Sequence, residues 1–137
     1  MVALDAATGA VRWHADMVPR GSDGGAVWST PAIEADTGRL FVGTGNAYHA
    51  PASPMTDSVV ELDARSGAVL ARYQATDGDV FTVVAGGGPD FDFGASPNLI
   101  DGPDGRKLVG EGQKSGVYWA LDRATLEPVW HAMPGCG

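Results

Sequence analysis

Apolar and polar positions along the chain fall into short alternating runs broken by Asp, Thr, Ser and Gly, and one such unit recurs. It reads Val2-Ala-Leu-Asp-Ala-Ala-Thr-Gly-Ala-Val-Arg-Trp13, then Val60-Glu-Leu-Asp-Ala-Arg-Ser-Gly-Ala-Val-Leu-Ala71, then Trp119-Ala-Leu-Asp-Arg-Ala-Thr-Leu-Glu-Pro-Val-Trp130. The anchor leucines Leu4, Leu62 and Leu121 stand 58 and 59 residues apart. In each unit the Asp and hydroxyl side chains can bond nearby backbone amides, and Gly takes positive φ at little cost. Apolar residues on both sides then predict two antiparallel strands. Trp13 and Trp130 read as packing residues between units.

A second hairpin precedes two of these units. Residues Thr30 to Glu34 turn at Asp36-Thr-Gly-Arg39 into Leu40 to Thr44, and Ser96 to Ile100 turn at Asp101-Gly-Pro-Asp-Gly105 into Lys107 to Glu111. Two hairpins make a four-stranded antiparallel unit, and repetition at this period is the signature of a β-propeller. A β-sandwich fits the period less well. The expectation is one all-β partial domain, an incomplete β-propeller of about two and a half blades. Residues 1–16 supply the last two strands of one blade, 26–76 a complete blade and 92–134 another. Such a piece cannot close a ring, so both ends should present surfaces meant for neighbours, as in a fragment or truncated gene product. Two long connections, 47–57 and 75–93, are candidates for function, the first for shaping a substrate entrance.

Composition narrows the partners. The chain has 137 residues, 44% hydrophobic, with 20 Gly and 9 Pro, which suits short strands and tight turns. Its 9 Lys+Arg against 17 Asp+Glu give a formal net charge of −8, and no basic cluster exists to follow a phosphate backbone. Nucleic acid is therefore not an expected partner. No apolar run approaches the roughly 20 residues of a membrane span, and the N-terminus lacks the pattern of a secretory signal. Cys136 is the single cysteine, so no internal disulfide and no Cys-x-x-Cys site is available.

The residues that break the repeat's symmetry carry a resemblance. Gly24-Gly-Ala-Val-Trp28 through Gly43-Thr-Gly-Asn46, Pro89-Asp-Phe-Asp92-Phe-Gly-Ala, and Gly112-Gln-Lys114-Ser-Gly resemble segments of the pyrroloquinoline quinone (PQQ) dependent alcohol dehydrogenases. The similarity runs along nearly the whole chain. Within that family, Gly88-Pro-Asp-Phe-Asp-Phe-Gly-Ala-Ser-Pro97 is most similar to the members that oxidise polyvinyl alcohol. The resemblance implies a PQQ-type propeller in which Trp28 lies under the flat cofactor. It implies that Asn46, 18 residues further on, ligates Ca2+ together with Asp92. Asp92 is then the catalytic base, and Lys114 bonds the quinone oxygens. It also implies an alcohol substrate, a cytochrome c or quinone as electron acceptor, further propeller blades as partners and a periplasmic location.

Elementary chemistry fits these roles and leaves alternatives beside them. An indole supplies the largest stacking surface of any side chain, although Trp28 also reads as a core aromatic. An amide carbonyl is a standard ligand for a hard cation, although Asn after Gly-Thr-Gly is also a default left-handed turn residue. A carboxylate between Phe91 and Phe93 is partly desolvated, which strengthens it as a proton acceptor; Asp90 is expected to cap a turn. Lys114 is a fixed positive donor or a solvated loop lysine. His14 and His131 read as strand-end surface residues, and His49 lies close enough in sequence to Asn46 to approach a substrate.

Departures from the family pattern also count. The glutamate that the family contributes to the metal from an earlier blade has no place here, and neither does its adjacent cysteine pair. Members using lanthanides carry an acidic residue two positions after the catalytic Asp. Gly94 stands there, which favours calcium. The competing expectation is a non-catalytic propeller of the same repeats that binds proteins through its rim.

Overall fold

The turns close as the sequence predicts. In the computed structural model, which describes residues 1–134, β1 (Val2–Leu4) and β2 (Val11–His14) pair antiparallel. Asp5 Oδ1 accepts the backbone N–H groups of Ala7 and Thr8 at 3.1 and 3.0 Å. Asp63 does the same for Arg65 and Ser66, and Asp122 for Ala124 and Thr125. One carboxylate thus satisfies two amides that a tight turn leaves without strand partners. Gly9 and Gly67 take the left-handed position of this turn, with φ of 72° and 74°. In the third copy Leu126 occupies it at φ 58°, and its burial in the core offsets the backbone cost.

The second sheet runs in sequence order through β3 (Ala32–Glu34), β4 (Arg39–Gly43), β5 (Ser58–Asp63) and β6 (Val69–Gln74). A small hairpin follows, β7 (Phe81–Thr82) with β8 (Gly86–Gly87), inside the stretch that the sequence marks only as a long loop. The third sheet is β9 (Asn98–Asp101), β10 (Lys107–Gly112), β11 (Tyr118–Asp122) and β12 (Pro128–Ala132), again in order. These are two meandering four-stranded blades and a half-blade of an incomplete β-propeller, with no helix among the described residues. Cys136 lies outside the described residues.

Blade stacking explains the burial. Alternation sends Phe41 to one face of β4 and Leu40 and Val42 to the other, yet all three are buried. Phe41 and Val59 pack with Val109, Leu121, Leu126 and Phe93, the core between the second and third sheets. Leu40, Val42, Val60 and Leu62 pack with Met17 on the opposite side, toward the half-blade. A sheet covered on both faces buries a continuous run rather than every second residue. The outer sheets have one neighbour each, and there Val2, Leu4, Val11 and Trp130 remain exposed.

Specific polar ties fix how the blades dock. The Trp13 indole N–H donates to the Ala64 carbonyl at 3.1 Å, and its ring lies against Gly67, where no side chain would fit. Arg123, buried, donates to Glu34 at 2.8 Å and to Asp101 at 2.9 Å, joining the third sheet to the second. Trp130, the counterpart of Trp13, stacks instead on Tyr118 of its own sheet at 5.9 Å between ring centroids.

Candidate active site

Antiparallel pairing puts the entry of one strand and the exit of the next at the same end of a sheet. Trp28 precedes β3 and Asn46 follows β4; Asp92 precedes β9 and Lys114 follows β10. The repeat therefore delivers all four residues to one end of two adjacent blades. They line a single cleft of about 440 Å3 with Tyr48, Phe81, Val83 and Asp90. Clefts of this size hold small organic molecules.

Asp92 is laced between the two blades. Its Oδ1 accepts the Asn46 backbone N–H at 2.6 Å, and its carbonyl accepts the Lys114 backbone N–H at 2.9 Å. The next residue, Phe93, donates its N–H to the Thr44 carbonyl at 3.2 Å and is fully buried. Lys114 Nζ donates to Asp92 Oδ2 at 2.7 Å and lies 5.4 Å from the centroid of the Trp28 ring. Hydrogen bonding to Asp92 first, and to Asp90 as well, raises the Lys114 pKa against the opposing effect of burial. The lysine is thus held as a fixed cation, not as a solvated loop residue.

Trp28 is 61% exposed and presents its ring to the cleft, so it is not the core aromatic of the alternative reading. Asn46 is buried, and its amide N–H2 donates to the carbonyls of Ala47 and Phe81. Those bonds leave Oδ1 as the uncommitted atom of the amide among the described residues. At the matching repeat position in the next blade, Gln113 is fully used: Nε2 donates to Thr76 Oγ1, and Oε1 accepts from Ser115 and Trp119. The donor set of Asn46 Oδ1 and the Asp92 carboxylate is all oxygen, which fits a hard cation such as Ca2+. An open indole beside a fixed ammonium likewise fits a planar, polyanionic quinone. No three His, Cys, Asp or Glu side chains converge on a metal among the described residues. Further ligands would have to come from elsewhere.

Two site features are invisible in the sequence. Asp90 does not cap a turn; both its carboxylate oxygens accept Lys114 Nζ, at 2.9 and 3.0 Å. The capping is done by Asp79, buried, whose Oδ1 and Oδ2 accept the N–H groups of Asp90 and Phe91 at 3.3 and 2.8 Å. Nothing local relates these residues, because the hairpin of β7 and β8 lies between them. The stretch 47–57 touches the cleft at its start. Ser53, Thr56 and Asp57 are buried, and Tyr48 is its member in the cleft wall. His49 pairs with Asp23 on the surface, and His14 and His131 are exposed on strands.

Blades, docking ties and cleft together define a propeller whose loops at one end could cradle a flat anionic cofactor. The PQQ-type model described as glucose/ethanol/alcohol dehydrogenase, beta-propeller domain, matches residues 19–133, and the chain belongs to that family. A polyvinylalcohol dehydrogenase of Sphingopyxis sp. (strain 113P3) is 35% identical over 90% of this chain and 23% of its own length. A second polyvinylalcohol dehydrogenase, from Pseudomonas sp, is 31% identical over 89% of this chain and 23% of its own length. The chain thus spans about a quarter of the length of these two curated relatives. Quinohemoprotein alcohol dehydrogenase ADHIIG of Pseudomonas putida HK5 shares the fold, with a TM-score of 0.80 and 24% identity over 97% of this chain and 24% of its own.

Proposed function

We propose that this chain is the part of a quinoprotein alcohol dehydrogenase that carries the quinone floor, the general base and part of a calcium site. The observation that supports it is the convergence of Trp28, Asn46, Asp92 and Lys114 on one cleft. A protein-binding propeller of the same repeats brings these positions together too, but gives no reason for an open indole, an amide, a carboxylate and an ammonium to occupy them.

The chemistry divides among them as follows. Bound PQQ would supply the acceptor for the hydride of the alcohol carbon, with Ca2+ beside it as Lewis acid. Trp28 offers its open face for stacking. Lys114 offers a preorganised positive donor in a partly desolvated site. Asn46 Oδ1 and the Asp92 carboxylate are the metal's ligands from this chain. Asp92 accepts the hydroxyl proton of the alcohol as its carbon becomes a carbonyl carbon.

Phe81, Val83 and Tyr48 wall the cleft with apolar surface, which suits the hydrocarbon of a secondary alcohol, polymeric or small. Polyvinyl alcohol is the substrate named for two of the curated relatives. The remaining partners in this proposal are further blades that complete the ring and a cytochrome c or quinone that takes the electrons, in the periplasm. The decisive experiment is Asp92→Asn in the whole protein. PQQ binding should stay nearly intact while dye-coupled alcohol oxidation disappears; unchanged turnover would sink the assignment.

A further inference from the structure

Lys114 is held by more than the proposed base. Its ammonium makes a second contact, to both oxygens of Asp90, on the more exposed side: the Asp90 side chain is 29% exposed and that of Asp92 6%. Asp90 adopts φ 61°, a left-handed conformation uncommon outside Gly and visited by Asn and Asp more than by other residues. Its N–H and that of Phe91 are both clasped by the buried Asp79 carboxylate. Asp79 is itself fixed, since its backbone carbonyl accepts the Ala47 N–H at 3.2 Å, beside Asn46. Left-handed backbone at a non-glycine position persists where the surroundings over-determine it, and such positions gather at functional sites.

We infer that Asp90 is a positioning residue of this site: clasped by Asp79 into a left-handed turn, it anchors the Lys114 ammonium beside the Trp28 ring and Asp92. A free lysine spreads its charge over many rotamers and gives up that freedom when it binds. Two carboxylates bonded to Nζ remove the freedom beforehand, so the donor stands in place before the cofactor arrives. The purpose of this arrangement rests on the quinoprotein reading, whereas its geometry does not.

Asp90→Asn is a clean test, because Asn tolerates the left-handed turn better than Asp and keeps the backbone in place. Two readouts in the whole protein, with all its blades, separate the ideas. The first, without cofactor, is the exchange rate of the Lys114 ammonium protons by nitrogen-15 NMR. These should be protected in the wild type and exchange at least about tenfold faster in Asp90→Asn, the size of losing one charge-assisted hydrogen bond. The second is PQQ titration followed by tryptophan fluorescence. The dissociation constant should rise about tenfold in Asp90→Asn. In the whole enzyme the same substitution should lower kcat and leave the alcohol KM within about twofold. If Asp90→Asn leaves the ammonium protected and PQQ affinity unchanged, the positioning role is overturned. If the wild type does not bind PQQ, the quinoprotein reading fails, and ammonium exchange alone decides on Asp90.

Discussion

Asp92 and Asn46, 46 positions apart in sequence, are joined by a 2.6 Å hydrogen bond from the Asn46 backbone N–H to Asp92 Oδ1. The bond needs the residue before Asn46 to have no side chain: a Cβ at Gly45 would stand 2.8 Å from Asp92 Oδ1. Gly45→Ala should therefore push the carboxylate off its backbone donor at a stability cost of about 1–3 kcal/mol. Alcohol turnover in the whole protein should fall more than about tenfold, because the base is displaced. Denaturant unfolding and turnover, measured on the same preparation, check the two effects together.

Much of this arrangement is legible in the sequence, for a physical reason. Asp, a hydroxyl residue and Gly at fixed offsets encode the turns locally, so strand order and the shared end of Trp28, Asn46, Asp92 and Lys114 follow from the repeat. What is not legible depends on contacts between segments. The Asp79 clasp reaches across a hairpin, and it turns Asp90 from an expected cap into a partner of Lys114. Burial of a charged residue between blades is not legible either: Glu111 is buried against Gly43 of the neighbouring sheet.

Trp28 separates binding from folding. Its side chain is mostly exposed, so Trp28→Ala should change stability by no more than about 0.5 kcal/mol. The same substitution should weaken PQQ binding at least about tenfold if the indole is the stacking floor. Equal PQQ affinity in the variant would assign the floor to another residue.

Arg123 makes the opposite prediction. Its guanidinium is buried and bonds Glu34 and Asp101 as well as the carbonyls of Leu108 and Ile100. It also helps hold the Glu34 carboxyl below its ordinary pKa, second to the Thr37 hydroxyl. Arg123→Ala strips these groups of their donor at the joint between two blades. A loss of about 3–5 kcal/mol is expected, without any contact to the cleft. A change within about 1 kcal/mol, by urea unfolding, would show that packing rather than this tie holds the blades together.

Two buried acids set the pH dependence of stability. Asp57 is fully buried at φ 50°, and neither carboxylate oxygen has a hydrogen-bond partner among the described residues. Burial first, then the charges of Asp79, Asp92 and Asp90, push its pKa up to about 8. Burial pushes Glu111, also without partners, up to about 9. A raised folded-state pKa means that the folded chain binds more protons than the unfolded one between the two values. The contribution of Asp57 is therefore fully present below its unfolded value near 3.8 and is lost as pH rises through about 8. That of Glu111 fades between 4.5 and about 9. Each group should cost about 1–3 kcal/mol between pH 6 and pH 8, since one pKa unit corresponds to about 1.4 kcal/mol. Thermal unfolding should show Tm falling by several degrees over that interval. Asp57→Asn and Glu111→Gln, which keep shape and remove the titration, should each flatten the slope and raise Tm at pH 8. A slope untouched by both substitutions would mean that these carboxyls find partners in solution and are ionised in the folded chain.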